Sequence, residues 1–234
     1  MNERWAINVD VEGFSAHYES GEDGKTRAIL ALGELMHAVF SIGTRVFPGT
    51  HENNFSERLF AHQYGDGFLL CSNFPESDPS RAIAIAAAIM RHMTMSGFAT
   101  KAAISSGDMS DIKGCYPKPL RDATDERVDM GWGLMTIISV MGTALTKAHR
   151  LASNSHGAVL VVDRGLLGDS SPTHCIDWVS SDLPLAHDIA NQSGLRVGSP
   201  AELHERLRAY CSRSPEPPAK WVAATFAHLK EPLS

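Results

Sequence analysis

The chain has 234 residues, of which 43% are hydrophobic and 21% are charged, and its formal net charge is −6 at pH 7. This length and apolar content are sufficient for one large domain with a full core, and no internal repeat divides residues 1–234. The net negative charge excludes a global basic surface for nucleic acid or for an anionic membrane, so local cations or metal ions have to meet any polyanionic ligand.

The first half of the chain alternates between strand and helix patterns. The predicted elements, in order, are a strand at 5–10, an amphipathic helix at 26–47, a hairpin of strands at 58–64 and 68–73, a helix at 78–93 and a strand at 98–110. Asp78 is the expected N-cap of the second helix, and Gly65-Asp66-Gly67 is the expected hairpin turn. The βαββαβ order predicts an α+β fold of the ferredoxin-like type, with an antiparallel sheet and two helices packed on one face.

The second half gives weaker patterns. Residues 111–133 mix charge, proline and glycine and predict a hairpin or a flexible arm. Further along we expect a loop leading into a helix within 138–155, a strand at 158–163, a strand around 175–180, a helix at 200–212 opened by Ser199-Pro200, and an apolar segment at 220–229. These pieces extend the core without defining a second domain.

Other features favour a soluble, cytoplasmic protein with no membrane or nucleic-acid partner. The amino terminus lacks the basic and apolar segments of a signal peptide. The longest apolar run, from Ala82 to Met90, is far shorter than the roughly 20 residues that span a bilayer. The four cysteines form no CxxC pair and are expected to be reduced core thiols.

Two aspartates are expected to carry the chemistry. In a βαββαβ sheet the end of the first strand lies beside the tip of the central hairpin, so Asp10 and Asp66 are predicted neighbours although 56 positions separate them. Hard cations take oxygen ligands, and adjacent glycines let a phosphate chain approach the backbone. The pair therefore predicts metal-dependent phosphoryl chemistry. Taken singly, Asp66 could be a turn residue and Asp10 a loop cap.

Four motifs, in order, resemble those of the class III nucleotide cyclases. They are "DVEGFS" at 10–15, "YGDG" at 64–67, "KAAISSG" at 101–107 and "MGTALTKAHRL" at 141–151. The similarity spans roughly residues 4–165 and implies the ferredoxin-like core of a cyclase catalytic domain, with residues 166–234 as a C-terminal extension that has no assigned role. In size and in its departures from the purine-reading residues, the chain is most similar to the stand-alone bacterial pyrimidine cyclases of Pycsar antiphage defence.

The resemblance also implies roles for individual residues. Asp10, Asp66 and the backbone carbonyl of Val11 would hold two divalent ions, Mn²⁺ or Mg²⁺, while the ribose 3′-hydroxyl attacks the α-phosphate and expels pyrophosphate. Arg150 would reach across a homodimer with shared active sites to stabilise the phosphate charge, which a guanidinium does better than an ammonium group. The alternative for Arg150 is a solvated helix residue. Thr146 stands where the family has an asparagine that orients the ribose.

The remaining candidates contact the substrate. They are Gly13, Phe14 and Ser15 of the first motif, Lys101 at the position of a phosphate-contacting arginine, and His62, Tyr64 and Ser139 around the base. Adenylate cyclases carry lysine and guanylate cyclases glutamate four residues before the second aspartate, where this chain has His62. Ser139, eleven residues before Arg150, likewise matches neither purine signature. Trp132 is a further candidate for filling the pocket beside the smaller pyrimidine.

We therefore expect a cyclase that converts UTP to 3′,5′-cyclic UMP, a product that acts on a separate effector in antiphage defence. The alternatives are a cytidylate cyclase, a purine cyclase that uses ATP or GTP, and a catalytically inactive cyclase-like nucleotide sensor. The sequence does not specify which residue separates UTP from CTP, what role residues 166–234 have, or which signal activates the enzyme.

Overall fold

The computed structural model describes residues 3–47, 59–72, 74–122, 127–130, 133–136, 140–167, 173–213 and 216–229. The described strands are β1 (Arg4–Val11), β2 (Leu59–Tyr64), β3 (Gly67–Ser72), β4 (Thr100–Gly107), β5 (Ser110–Asp111), β6 (Arg127–Met130), β7 (Gly133–Thr136), β8 (Val140–Met141), β9 (Leu160–Asp163) and β10 (Thr173–Ile176). The described helices are α1 (Phe14–Tyr18), α2 (Glu22–Arg45), α3 (Ser80–Met95), α4 (Lys118–Arg121), α5 (Thr143–Ser153), α6 (Pro184–Ser193), α7 (Pro200–Cys211) and α8 (Ala219–Phe226).

A six-stranded sheet in the order β10-β9-β4-β1-β3-β2 forms the centre of the molecule. β1 pairs antiparallel with both β3 and β4, and β2 pairs antiparallel with β3. This is the strand order of a ferredoxin-like βαββαβ unit, so the predicted α+β fold class and its antiparallel core are confirmed. β9 then joins parallel to β4, and β10 pairs antiparallel with β9.

Alternation along β1 distributes side chains between two layers. Trp5, Ile7 and Val9 are fully buried in the main core, to which α2, α3, α6 and α7 also contribute. Ala6 belongs to a second, smaller cluster on the opposite face, where it packs with residues of α5. Since side chains alternate with a period of two, Asp10 shares the α5 face with Ala6 and lies at the end of the strand.

Some predicted boundaries differ from the observed ones. α3 begins at Ser80 rather than at 78, although the Asp78 carboxylate accepts the Ser80 N–H at 3.0 Å. α6 was not predicted, because its ten residues carry only a short apolar face. The predicted start of α7 is confirmed: Ser199 and Glu202 form a reciprocal capping box. Among the described residues, none of the helices is both long and apolar enough to cross a membrane.

Candidate functional site

Asp10 and Asp66 lie side by side, as the topology predicts. Asp10 is paired across the sheet with Gly67, the residue after Asp66 in the hairpin. The Val11 N–H donates to the Asp66 carbonyl oxygen at 3.3 Å, which fixes the turn against the end of β1. The carboxyl group of Asp66 is close enough to that of Asp10 for the charge of one to affect the other.

Gly67 is the residue that permits this approach. A Cβ atom at position 67 would clash with the Val9 carbonyl oxygen and would lie 2.9 Å from Oδ1 of Asp10. Any larger residue would therefore push the hairpin away from β1. Glycine at position 67 is therefore required for the close packing of the hairpin against β1 as well as for the turn.

The electrostatics of the pair are unfavourable without a cation. Burial and the neighbouring Asp66 carboxylate raise the pKa of the Asp10 carboxyl to about 7, against the opposing effect of the Lys101 ammonium group. Two oxygen-rich side chains with this mutual repulsion form a donor set suited to a hard divalent ion.

Lys101 connects this pair to a residue that the sequence did not indicate. Its Nζ atom lies 3.0 Å from Oε1 of Glu12 and 3.9 Å from Oδ2 of Asp10. It also donates to the Ser155 carbonyl oxygen at 3.4 Å. Glu12 occupies a variable position of the first motif. Its carboxylate also accepts a hydrogen bond from Trp221, which is 209 positions away in the chain. No local sequence pattern could therefore have identified Glu12.

The three residues that follow Glu12 are placed differently from one another. Gly13 has φ +74°, a left-handed conformation that favours glycine, and precedes α1. Phe14 is half-buried, packs against the main core and stacks on Tyr18 with ring centroids 5.7 Å apart. Ser15 is exposed in the single turn of α1. All three adjoin Asp10 in the chain, and their contact with a substrate stays a prediction.

A cavity of about 610 Å³ lies on the α5 face of the sheet. His62, Tyr64 and Thr146, which the sequence assigns to the substrate, come together in its lining. His149 also lines it and was missed: its ring meets that of Tyr64 edge-on at 5.0 Å, and its Nδ1 atom lies 3.4 Å from Nδ2 of Asn8. The position of His149 directly before Arg150 was the available signal.

Arg150 and Thr146 belong to the same helix but have different surroundings. Arg150 is exposed and is not among the residues that line the cavity. The Thr146 hydroxyl donates to carbonyl oxygens of its own helix turn, those of Gly142 and Thr143, both at 3.3 Å. Ser139 and Trp132 lie outside the described residues, so their predicted places beside the base are not located.

The metal-binding capacity of the site rests on two carboxylates. In the part of the chain that the structure describes, no group of three or more His, Cys, Asp or Glu side chains has the geometry of a metal site. Mg²⁺ commonly uses one or two carboxylates and completes its coordination with phosphates and water. Asp10 and Asp66 supply two carboxylates at adjoining strand ends, and the binding of an ion by them and by the Val11 carbonyl stays a prediction.

Comparison with solved structures finds similarity to nucleotide cyclase domains. No family model and no curated protein matches the chain. The guanylyl cyclase Cya2 is 12% identical at a TM-score of 0.41, over 71% of this chain and 77% of that one. A class III adenylyl cyclase-like ATP-binding protein from Pseudomonas aeruginosa is 13% identical at a TM-score of 0.44, over 91% of this chain and 44% of that one. These values are too low to assign an activity.

Proposed function

We propose that the protein is a metal-dependent nucleotide cyclase that converts UTP to 3′,5′-cyclic UMP and pyrophosphate. The observation that carries this proposal is the pairing of Asp10 and Asp66 at adjoining strand ends, with the Lys101 ammonium group beside them. A carboxylate pair next to a cation suits a metal-bound triphosphate. The order of the four cyclase-like motifs supports cyclisation over other phosphoryl transfers.

In the proposed mechanism, Asp10, Asp66 and the Val11 carbonyl hold two ions, Mn²⁺ or Mg²⁺. When bound, these ions activate the ribose 3′-hydroxyl and neutralise phosphate charge. Lys101 attracts the triphosphate from the same side as Asp10. The 3′-oxygen forms a bond to the α-phosphorus, the bond from that phosphorus to the bridging oxygen of pyrophosphate breaks, and the hydroxyl proton leaves to solvent.

A second subunit completes the proposed site. Arg150 is exposed on α5 and does not line the cavity of its own chain, which suits a guanidinium that serves the active site of a partner. There it would stabilise the charge that develops on the α-phosphate. Thr146 would orient the ribose. The working unit is then a symmetric homodimer with two shared sites.

The cavity on the α5 face is the proposed place for the base, with Ser139 assigned to it on sequence grounds alone. Its described lining is mostly apolar and includes the polar side chains of His62, Thr146 and His149. Few polar groups in an apolar pocket are the usual means of reading a small heterocycle. The absence of both purine-reading residues favours a pyrimidine, and we choose uracil over cytosine without a residue that separates the two. The cyclic nucleotide would act in the cytoplasm on a separate antiphage effector.

Substrate competition tests the choice of base. The purified chain is incubated with Mn²⁺ and with equal concentrations of UTP, CTP, ATP and GTP, and cyclic products are quantified by mass spectrometry. We expect cyclic UMP to exceed cyclic CMP by about tenfold or more, because one mismatched buried hydrogen bond costs about 1–3 kcal/mol. Exclusive turnover of ATP or GTP would contradict the pyrimidine assignment.

A catalytically inactive nucleotide sensor is the second candidate. The observation that favours it is Thr146, whose hydroxyl donates within its own helix rather than into the cavity. Calorimetry that detects UTP binding, combined with the absence of any cyclic product in the same preparation, would identify a sensor and exclude the cyclase.

A further inference from the structure

The C-terminal extension reaches the candidate site through two aromatic residues. The Tyr210 hydroxyl of α7 donates to the Glu12 carbonyl oxygen at 2.8 Å, and the Trp221 indole N–H of α8 donates to the Glu12 carboxylate. The two rings pack together with centroids 5.6 Å apart, and both side chains are buried. Helices far along the chain therefore hold the residue that lies two positions after Asp10.

Lys101 stands between two carboxylates and is closer to one of them. Its Nζ atom is 3.0 Å from Glu12 but 3.9 Å from Asp10. The side chains of Lys101 and Glu12 are only 12% and 10% exposed. In surroundings this dry, an ion pair is strong and a carboxylate without a partner is costly. Glu12 receives both an indole N–H and an ammonium group, so its charge is well satisfied where it lies.

We propose that Trp221 is a positioning residue that keeps Asp10 available for a divalent cation. By holding Glu12 against Lys101, the indole N–H prevents the ammonium group from closing on Asp10. A lysine paired with Asp10 would compete with the cation for the same carboxylate oxygens. This inference rests on the proposed metal site and assigns a role to the C-terminal extension.

A substitution can separate the effect of the Trp221 indole N–H from the effect of the size of its ring. Trp221→Phe removes the donor and retains an aromatic side chain that packs against Tyr210. With Glu12 less restrained, Lys101 can shift toward Asp10. The consequence is weaker binding of a bare divalent ion, which a control variant at a second buried indole distinguishes from a general loss of packing.

The test is a Mn²⁺ titration of the full chain, with free Mn²⁺ measured by electron paramagnetic resonance and no nucleotide present. We expect Trp221→Phe to raise the Kd for Mn²⁺ about three- to tenfold, as partial loss of one charge-assisted hydrogen bond implies. In a Lys101→Met background the ammonium competitor is gone. Mn²⁺ should therefore bind more tightly than to the wild type, and Trp221→Phe should have no further effect.

Trp178→Phe is the matched control. Trp178 is buried, and its indole N–H donates to the Ala158 carbonyl oxygen at 2.9 Å. Trp178→Phe therefore also removes a buried indole hydrogen bond, but its acceptor is Ala158 and not Glu12. We expect it to lower the melting temperature and to leave the Kd for Mn²⁺ at the wild-type value.

Several results would overturn the proposal. An unchanged Kd in Trp221→Phe, an equal weakening in Trp178→Phe, or an equal effect of Trp221→Phe with and without Lys101 would each do so. If Trp221→Phe does not fold, Glu12→Gln takes its place, and its effect on the Kd must then shrink in the Lys101→Met background. A wild-type chain that binds no Mn²⁺ would instead overturn the proposed metal site itself, and the inference with it.

Discussion

Arg150, the predicted transition-state residue, is more exposed than the two carboxylates. It is exposed on α5, whereas Asp10 and Asp66 are partly buried at the sheet edge. We predict that Arg150→Ala lowers kcat about a thousandfold, the scale of an arginine that stabilises a phosphoryl transition state. Arg150→Lys should recover only part of this loss, because the planar fork of donors is gone. Steady-state assays of cyclic nucleotide formation measure both.

Thermal unfolding supplies the control for that experiment. Because Arg150 is exposed, both variants should melt within a few degrees of the wild type. Arg208, an exposed arginine on α7 that has no part in the proposed mechanism, offers a matched change. A comparable loss of activity in Arg208→Ala would contradict a specific role for Arg150.

Single residues also show which parts of the site a sequence can reveal. Asp10 could be predicted because it ends a buried strand three residues before Gly13, and Asp66 because it stands between the two glycines of a hairpin turn that the topology brings beside Asp10. Glu12 could not, since its importance depends on Lys101 and Trp221, and neither contact leaves a local pattern. For His149 the sequence offered only its position directly before Arg150, which does not indicate that its ring meets that of Tyr64.

At the scale of elements, the hairpin of β2 and β3 depends on Gly67. We predict that Gly67→Ala lowers the free energy of unfolding by about 1–3 kcal/mol, the usual cost of overpacking. It should also reduce activity, because Asp66 moves away from Asp10. Urea unfolding and activity assays of the same preparation measure the two effects.

Gly43 provides the opposite case in helix α2. A Cβ atom there would meet no atom within 4 Å, so Gly43→Ala should stabilise the protein by up to about 1 kcal/mol through helix propensity. If both glycine variants changed stability by the same amount and sign, the close approach of Gly67 to β1 would not be the cause.

Helix α3 contains a buried histidine that should make stability depend on pH. The Nδ1 atom of His92 accepts a hydrogen bond from the backbone N–H of Arg196 at 3.0 Å. Burial lowers the pKa of the His92 imidazole below the ordinary 6.5. The unfolded chain therefore binds the proton more readily than the folded one. The free energy of unfolding should be unaffected by His92 above about pH 7 and should fall as the pH drops through 6.5.

Urea unfolding at pH 7 and at pH 5.5 checks this prediction. His92→Gln cannot take up the proton, so it should lose less stability than the wild type between those two pH values. Equal losses in the two proteins would show that His92 does not titrate differently on folding.

The elements were predicted most accurately where the periodicity was strong. The first strand and helix α2 were located to within a few residues, because a short, mostly apolar run predicts a strand buried on both faces and an apolar stripe at helical spacing predicts an amphipathic helix. Helix α6 was not predicted, because its short sequence shows no clear apolar stripe. The closure of the second sheet face by α5 could not be derived from the βαββαβ order, which specifies helices on one face only.

For the whole molecule, assembly is the property that the mechanism requires. If Asp66 and Arg150 of one site belong to different subunits, an equal mixture of Asp66→Ala and Arg150→Ala chains should recover at most about a quarter of wild-type activity after random exchange. Half of the dimers are then mixed, and one of their two sites is intact. No recovery, despite subunit exchange shown by labelled chains, would contradict a shared site.

Sequence patterns assign no role to the C-terminal extension, residues 166–234. α7 and α8 have the amphipathic character of ordinary covering helices, and nothing in their composition points toward Asp10. Their connection to the site becomes visible only through the folded contacts of Tyr210 and Trp221 with Glu12. Long-range hydrogen bonds of this kind depend on the assembled core.

The central claim is that Asp10 and Asp66 hold the cation that makes cyclisation possible. The most direct measurement is the rate of Mn²⁺-dependent cyclic UMP and pyrophosphate formation from UTP by the wild type and by Asp66→Asn, with Asp188→Asn as an exposed aspartate control. We predict a loss of at least about a hundredfold in Asp66→Asn, since cation stabilisation of the transition state is worth several kcal/mol, and wild-type activity in the control. Activity of Asp66→Asn within tenfold of the wild type would contradict the account.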